Sequence, residues 1–157
     1  MSRGLIEKFY RSFQRKDWET MQLCYHPEAT FYDPVFQALA YREVKAMWHM
    51  LVLAGKDLSV TFNSVEATER RGSCHWEATY SFSRTGKKVH NIIAASFHFK
   101  EGKIVRHDDA FDLWRWSGMA LGLSGKLLGW SPMIRTKIRA TARKSLSKFL
   151  LDHPEYQ

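Results

Sequence analysis

Cysteine is almost missing: Cys24 and Cys74 stand alone in 157 residues, with no C-x-x-C pair. They cannot supply a disulfide framework, and their scarcity points to a reduced, cytoplasmic setting. A signal-peptide core is missing too, because "MSRGLIEKFYRSF" scatters charges among its apolar residues. Long apolar runs are absent. The best candidate, "WSGMALGLSGKLLGW" at residues 116–130, contains Lys126 and falls short of the roughly 20 residues that span a bilayer. No His/Asp/Glu set forms a recognised ligand motif, so neither a metal nor a cofactor is expected.

Acidic charge is scarce in one region only. Eight Lys/Arg and two Asp/Glu between Leu113 and Gln157 give +6. Residues 1–112 hold 16 Lys/Arg and 14 Asp/Glu, or +2, of the total +8. A nucleic-acid binder would spread basic charge over a face of its fold. Here the charge belongs to the tail, and no nucleic-acid partner is expected.

What is present is a globular composition, 45% hydrophobic and 14% aromatic, in a chain of one-domain length. Leu5 to Cys24 has helical spacing, with Asp17 placed to cap a second helix and His26-Pro27 to end it. "ATFYDPVFQ", residues 29–37, reads as a short β-rich piece that turns at Pro34. "YREVKAMWHMLVLAG", residues 41–55, reads as a third helix with Gly55 as its C-cap. The period then changes to two. "LSVTFNSVEAT", "GSCHWEATYSFS", "KKVHNIIAASFHFK" and "KIVRHDDAFDLW" are four strands separated by glycine-containing hairpin signals. Helices followed by an antiparallel meander imply an α+β fold, with helices packed on one face of a curved sheet.

The tail has its own pattern. Gly118, Gly122, Gly125 and Gly129 fall on one helical face within residues 116–130, as if another backbone came close. Ser131-Pro132 then opens a basic amphipathic helix, with Ile134, Ile138, Leu146, Phe149 and Leu150 on its stripe. Three roles fit residues 113–157: a lid over a pocket, an oligomer element, or a membrane-surface contact.

"ATFYDPVF" and "GKIVRHDD", together with the order of elements, resemble the nuclear-transport-factor-2-like superfamily over roughly residues 5–112. The nearest likeness is to its ketosteroid isomerases and SnoaL-like polyketide cyclases. That resemblance implies a cone-shaped curved sheet wrapped around a pocket that the N-terminal helices close, with residues 113–157 as an extension. It implies Asp33 as general base, and His107 and Asp109 as an acid/base pair. It also implies Ala95 where the isomerases carry a protonated aspartic acid. Phe9 falls where they carry a tyrosine, with Tyr10 one position away. The oxyanion hole of those enzymes is therefore not reproduced, which argues against authentic steroid isomerisation.

Aligning Ala95 with an inward position places Asn91, Ile93, Phe97 and Phe99 inward as well. On the preceding strand Cys74, Trp76, Ala78, Tyr80 and Phe82 are the bulkier set and point the same way. On the last strand Val105, His107, Asp109 and Phe111 share the inner face. Asp108 and Asp112 are left to solvent or to tail arginines. The expected lining for a small hydrophobic ligand is thus Tyr10, Trp48, Trp76, Tyr80, Asn91 and Phe97. Asn91 is expected to touch ligand or to bond His107 or Asp33. The expected function is binding of a hydrophobic, carbonyl-bearing molecule by a homodimer, with proton abstraction by an aspartate. The alternative is a non-catalytic binding or oligomerisation module.

Overall fold

Asp17 accepts a hydrogen bond from the Thr20 amide and divides the first helical stretch into two. In the computed structural model, which describes residues 1–157, these are α1 (Ser2–Gln14) and α2 (Trp18–Leu23). Lys16, with φ of 59°, makes the turn between them. Next comes β1 (Tyr25–Tyr32), which begins before the proline and runs through it. His26-Pro27 therefore does not end the helix. Pro27 sits where the β1 pairing is irregular, between Tyr25 and Thr30, so its missing N–H breaks no ladder.

A two-residue β2 (Leu39–Ala40) leads into α3 (Tyr41–Ala54), closed by a hydrogen bond that the Gly55 amide donates to the Leu51 carbonyl. The meander follows as β3 (Ser59–Ala67), β4 (Arg71–Ser81), β5 (Lys88–Lys100) and β6 (Lys103–Ala110). The six strands form one curved, unclosed sheet in the order β2-β1-β6-β5-β4-β3. It is mixed, because β1 runs parallel to β6 with Phe31 opposite His107 and Tyr32 opposite Asp108. Period-two patterning carries no information about this pairing, which brings together segments far apart in the chain.

Burial alternates strictly along β5, with Val89, Asn91, Ile93, Ala95 and Phe97 inside. Cys74, Trp76 and Ala78 lie on the same side of β4. The β6 expectation needs one correction. The β5–β6 register shifts after Phe99–Ile104, so Val105 is an extra residue. The bulge resets the alternation. Ile104 is buried and Val105 half-buried, while His107 and Asp109 keep the inner face. Helices α1 and α3 cover that face. Ile6, Phe9, Phe13, Val44, Met47 and Trp48 join the sheet's inner residues in one core.

The tail is not one glycine-lined helix. Gly122, at φ of 75°, breaks it into α4 (Leu113–Leu121) and α5 (Leu123–Leu128). The glycines serve contact within the chain. A Cβ at Gly125 would lie 1.9 Å from the Ser117 carbonyl oxygen, and one at Gly129 would lie 2.0 Å from Ser117 Oγ. Ser131 caps α6 (Pro132–Asp152) by accepting from the Ile134 amide, and a 3-10 turn (Pro154–Tyr156) ends the chain. Leu146, on the α6 stripe, is fully buried in the main core, and Arg143 pairs with Glu43 of α3. Asp112 caps α4 by accepting the Arg115 amide and Asp108 pairs with Arg106 of its own strand, so neither pairs with the guanidinium of a tail arginine.

Candidate functional site

Asp33 follows β1 directly, where Pro34 turns the chain. Its Oδ1 accepts the amides of Val35 at 2.8 Å and Phe36 at 2.6 Å, an Asx-type turn that fixes the carboxyl. It is only 9% exposed. Burial is the main cause that lifts its pKa from 3.8 to about 7; the backbone amides pull the other way, and the charge of Asp109 adds to the rise. The β1–β6 pairing ends with Tyr32 opposite Asp108, so Asp33 leaves β1 beside the end of β6, within reach of the charge of Asp109.

Asp109 closes a chain of hydrogen bonds through the core. Trp48 Nε1 donates to Tyr25 Oη at 2.9 Å, and that hydroxyl lies 2.7 Å from His107 Nδ1. His107 Nε2 lies 2.9 Å from Asp109 Oδ1, which also accepts from Trp76 Nε1 at 3.3 Å. With Tyr25 already accepting from Trp48, the neutral arrangement has its O–H donate to Nδ1 and His107 Nε2–H donate to Asp109. His107 is wholly buried and both of its nitrogens are engaged. It is also ringed by Phe9, Trp48 and Phe97.

Tyr10 adds a second polar group. One turn of α1 carries Phe9 and Tyr10 inward together, in edge-to-face contact at 5.1 Å. The Tyr10 ring stacks on Phe62 and leans on Trp76. Its hydroxyl is buried and makes no hydrogen bond of good geometry; the Cys74 thiol beside it is a weak partner only, and Asp109 is near. Burial, with Asp109 as the next cause, pushes its pKa well above the ordinary tyrosine value. The Cys74 thiol is pushed to about 12 and Cys24 to about 11, chiefly by burial, so neither is a thiolate near neutral pH.

Toward the tail, Tyr80 Oη accepts from Trp116 Nε1 of α4 at 2.9 Å, which leaves the Tyr80 proton free for another acceptor. Its pKa is raised by burial and, less, by the charge of Asp33. Asn91 is 7% exposed and bonds neither His107 nor Asp33, which removes one of the two expected roles for its amide. Arg139 of α6 donates to the Pro34 carbonyl at 3.0 Å, so the tail is tied to the turn that carries Asp33. The expected site residues thus fall into two groups. Asp109, His107, Tyr10, Trp48, Trp76 and Phe97 share the core, Tyr80 and Asn91 lie on the inner face beside α4, and Asp33 stands between them, within reach of the charge of Asp109 and near Tyr80. Aromatic rings occupy the interior beneath the aspartates.

Tyr25 carries the relay to His107 and was missed in the sequence. The signal lay in the start of β1, which His26-Pro27 obscured. A His/Glu cluster was also missed, because its members are distant in the chain. His49 of α3, His153 and Glu155 bring candidate ligand atoms within 4.8 Å of one another. The cluster needs no ion to explain it. His49 Nδ1 bonds the Tyr156 hydroxyl and His153 Nδ1 the Phe149 carbonyl, and the rings stack on Trp18 and Phe149.

A family model described as SnoaL-like domain matches residues 6–107. The chain belongs to the SnoaL-like family. No curated protein sequence matches it at a significant level. Among solved structures, AclR of Streptomyces galilaeus, a proposed hydroxylase, is 19% identical with a TM-score of 0.63, over 81% of this chain and 96% of that one. IdmH of Streptomyces antibioticus, a proposed polyketide cyclase, is 17% identical with a TM-score of 0.65, over 78% and 99%. An epoxide hydrolase of the LEH-like kind from M. tuberculosis is 14% identical with a TM-score of 0.62, over 82% and 96%. At such identities the likeness is one of fold, and activity has to be argued from the site.

Proposed function

We propose that this SnoaL-like protein binds a small, largely apolar molecule bearing a carbonyl, and that Asp33 removes a proton from the carbon next to that carbonyl. One observation carries the reading: a buried carboxyl with a pKa raised to about 7 lies near Tyr80, whose hydroxyl accepts from Trp116 and keeps its own proton free for a ligand. A general base works best with a pKa near the working pH. A hydroxyl proton with no acceptor inside the protein is a donor waiting for one.

In this reading Asp33 takes the α-proton, and the electron pair moves onto the carbonyl oxygen. Tyr10 or Tyr80 donates a hydrogen bond to that oxygen. A different, conjugated carbon of the enolate then takes the proton from Asp33, or the enolate carbon attacks a second carbonyl of the same molecule and the alkoxide so formed takes that proton. These give isomerisation or cyclisation. His107 is a positioning residue that fixes Asp109 through Nε2. Asp109 sits opposite Ala95, so the inner carboxyl lies one strand away from its place in the isomerases. The relation to a polyketide cyclase fold supports this substrate class.

Deuterium exchange at the α-carbon of enolisable polycyclic ketones tests the reading, followed by NMR in D₂O. Exchange by the native protein and its loss in Asp33→Asn supports it; equal exchange by both overturns it. The second reading is a binding module without turnover, favoured by the dense aromatic interior. Native mass spectrometry showing a retained, unconverted ketone would establish it.

A further inference from the structure

The tail presents a surface that the pocket chemistry does not use. Between Leu113 and Leu151 there is no aspartate or glutamate, against eight Lys/Arg. Only Arg143 and Lys148 of these eight form an ion pair, with Glu43 and Asp152. In the same segment Leu123 is 72% exposed, Leu127 62%, Trp130 56% and Met133 71%. They occupy α5 and the turn into α6, with Lys126, Arg135 and Lys137 interleaved. Large apolar side chains grouped this way are not ordinary scattered surface residues. No helix here is long and apolar enough to cross a membrane.

We propose that α5 and the first turns of α6 form a docking surface for an anionic lipid bilayer. Leu123, Leu127, Trp130 and Met133 enter the boundary between headgroups and acyl chains, and Lys126, Arg135 and Lys137 lie at the phosphates. Charge decides between the two candidate occupants. A second copy would set this cationic segment against itself, whereas an anionic membrane complements it. The tryptophans fit the same plane. Trp130 Nε1 donates to the Leu127 carbonyl and Trp114 Nε1 to the Lys126 carbonyl, so both indoles lie along α5 while roughly half exposed. Indole rings favour that interfacial depth. Gly125 and Gly129 keep α5 tight against Ser117, which presents the patch on a fixed support. The surface is separate from Asp33, so the inference stands whether or not the protein turns over a ketone.

The test is flotation of the full-length protein with vesicles of phosphatidylcholine alone and with about 30% phosphatidylglycerol, enough to give an anionic surface. The expected result is binding to the anionic vesicles that weakens with salt. Lys126→Gln/Arg135→Gln/Lys137→Gln should lower that affinity about a hundredfold, from roughly fivefold per basic residue near the surface. Leu127→Ser/Trp130→Ser/Met133→Ser should abolish it while far-UV circular dichroism stays unchanged. Absence of binding to either vesicle overturns the proposal, as does binding that the apolar triple variant retains in full. Sedimentation velocity supplies the other overturning outcome: self-association that the apolar variant dissolves, without vesicle binding, assigns the patch to a second copy.

Discussion

Asp33 and Asp109 approach one another from the ends of neighbouring parallel strands, each fixed by its own set of donors. Asp33 is held by two backbone amides, and Asp109 by His107 and Trp76. Burial, with the charge of Asp109 as a lesser cause, opposes the ionisation of Asp33. The pair is built so that one member changes protonation near neutral pH.

For turnover, kcat/KM should rise with pH along a limb with an apparent pKa of about 7, where Asp33 loses its proton. Asp33→Asn should flatten that limb and lower the rate by about 10²–10⁴. A limb that persists in the variant would assign the titration to another group.

The same carboxyl should weaken the fold above neutrality. Its pKa is 3.8 when unfolded and about 7 when folded, so between these values the native state binds the proton and the unfolded state does not. Stability contributed by Asp33 is thus highest at low pH and falls as pH rises from about 4 to about 7. Asparagine can still accept both amides. Asp33→Asn should therefore be more stable than the native protein by about 1–3 kcal/mol at about pH 8, with little difference at about pH 4. Urea unfolding at the two pH values measures this.

Tyr10→Phe removes a buried hydroxyl that makes no bond stronger than a weak one to the Cys74 thiol. Leaving such a group unsatisfied costs about 1–3 kcal/mol, so the variant should be as stable as the native protein or up to about 1 kcal/mol more stable. If the hydroxyl serves the ligand's carbonyl, turnover should fall about 10²–10³. Unchanged turnover would leave Tyr80 as the donor. His107→Ala should do the opposite. It strands Tyr25 and Asp109 in the core and should destabilise by about 3–5 kcal/mol, read by chemical denaturation.

The meander was legible because its signals are local. Alternation places Asn91, Ile93, Ala95 and Phe97 inside, and Gly86 and Gly102 mark two of the three hairpin turns, whereas the expected glycine of the first, Gly72, lies inside β4 and leaves the turn to Thr68–Arg70. The inner placement of His107 and Asp109 was legible through alternation. The β1–β6 parallel pairing was not, since nothing local encodes contact between Phe31 and His107. The relay through Tyr25 was hidden for the same reason, and so was the bulge at Val105. Helical spacing suggested that the glycines of residues 116–130 line one continuous helix. Spacing alone does not say that one of them adopts a positive φ and folds the segment back on itself.

That fold-back predicts opposite outcomes for two glycine substitutions. Gly125→Ala would drive a Cβ to 1.9 Å from the Ser117 carbonyl oxygen, a backbone atom that cannot rotate away. Helices α4 and α5 must then separate, at a cost of about 1–3 kcal/mol or more. Because α4 holds Trp116 against Tyr80, the separation should also loosen the rim of the site. At Gly4, within α1, a Cβ would meet nothing within 4 Å, so Gly4→Ala gains helix propensity with no clash. It should stabilise by up to about 1 kcal/mol. Thermal unfolding of the two variants checks both signs, and a neutral Gly125→Ala would show that α5 packs less closely on α4 than the glycines require.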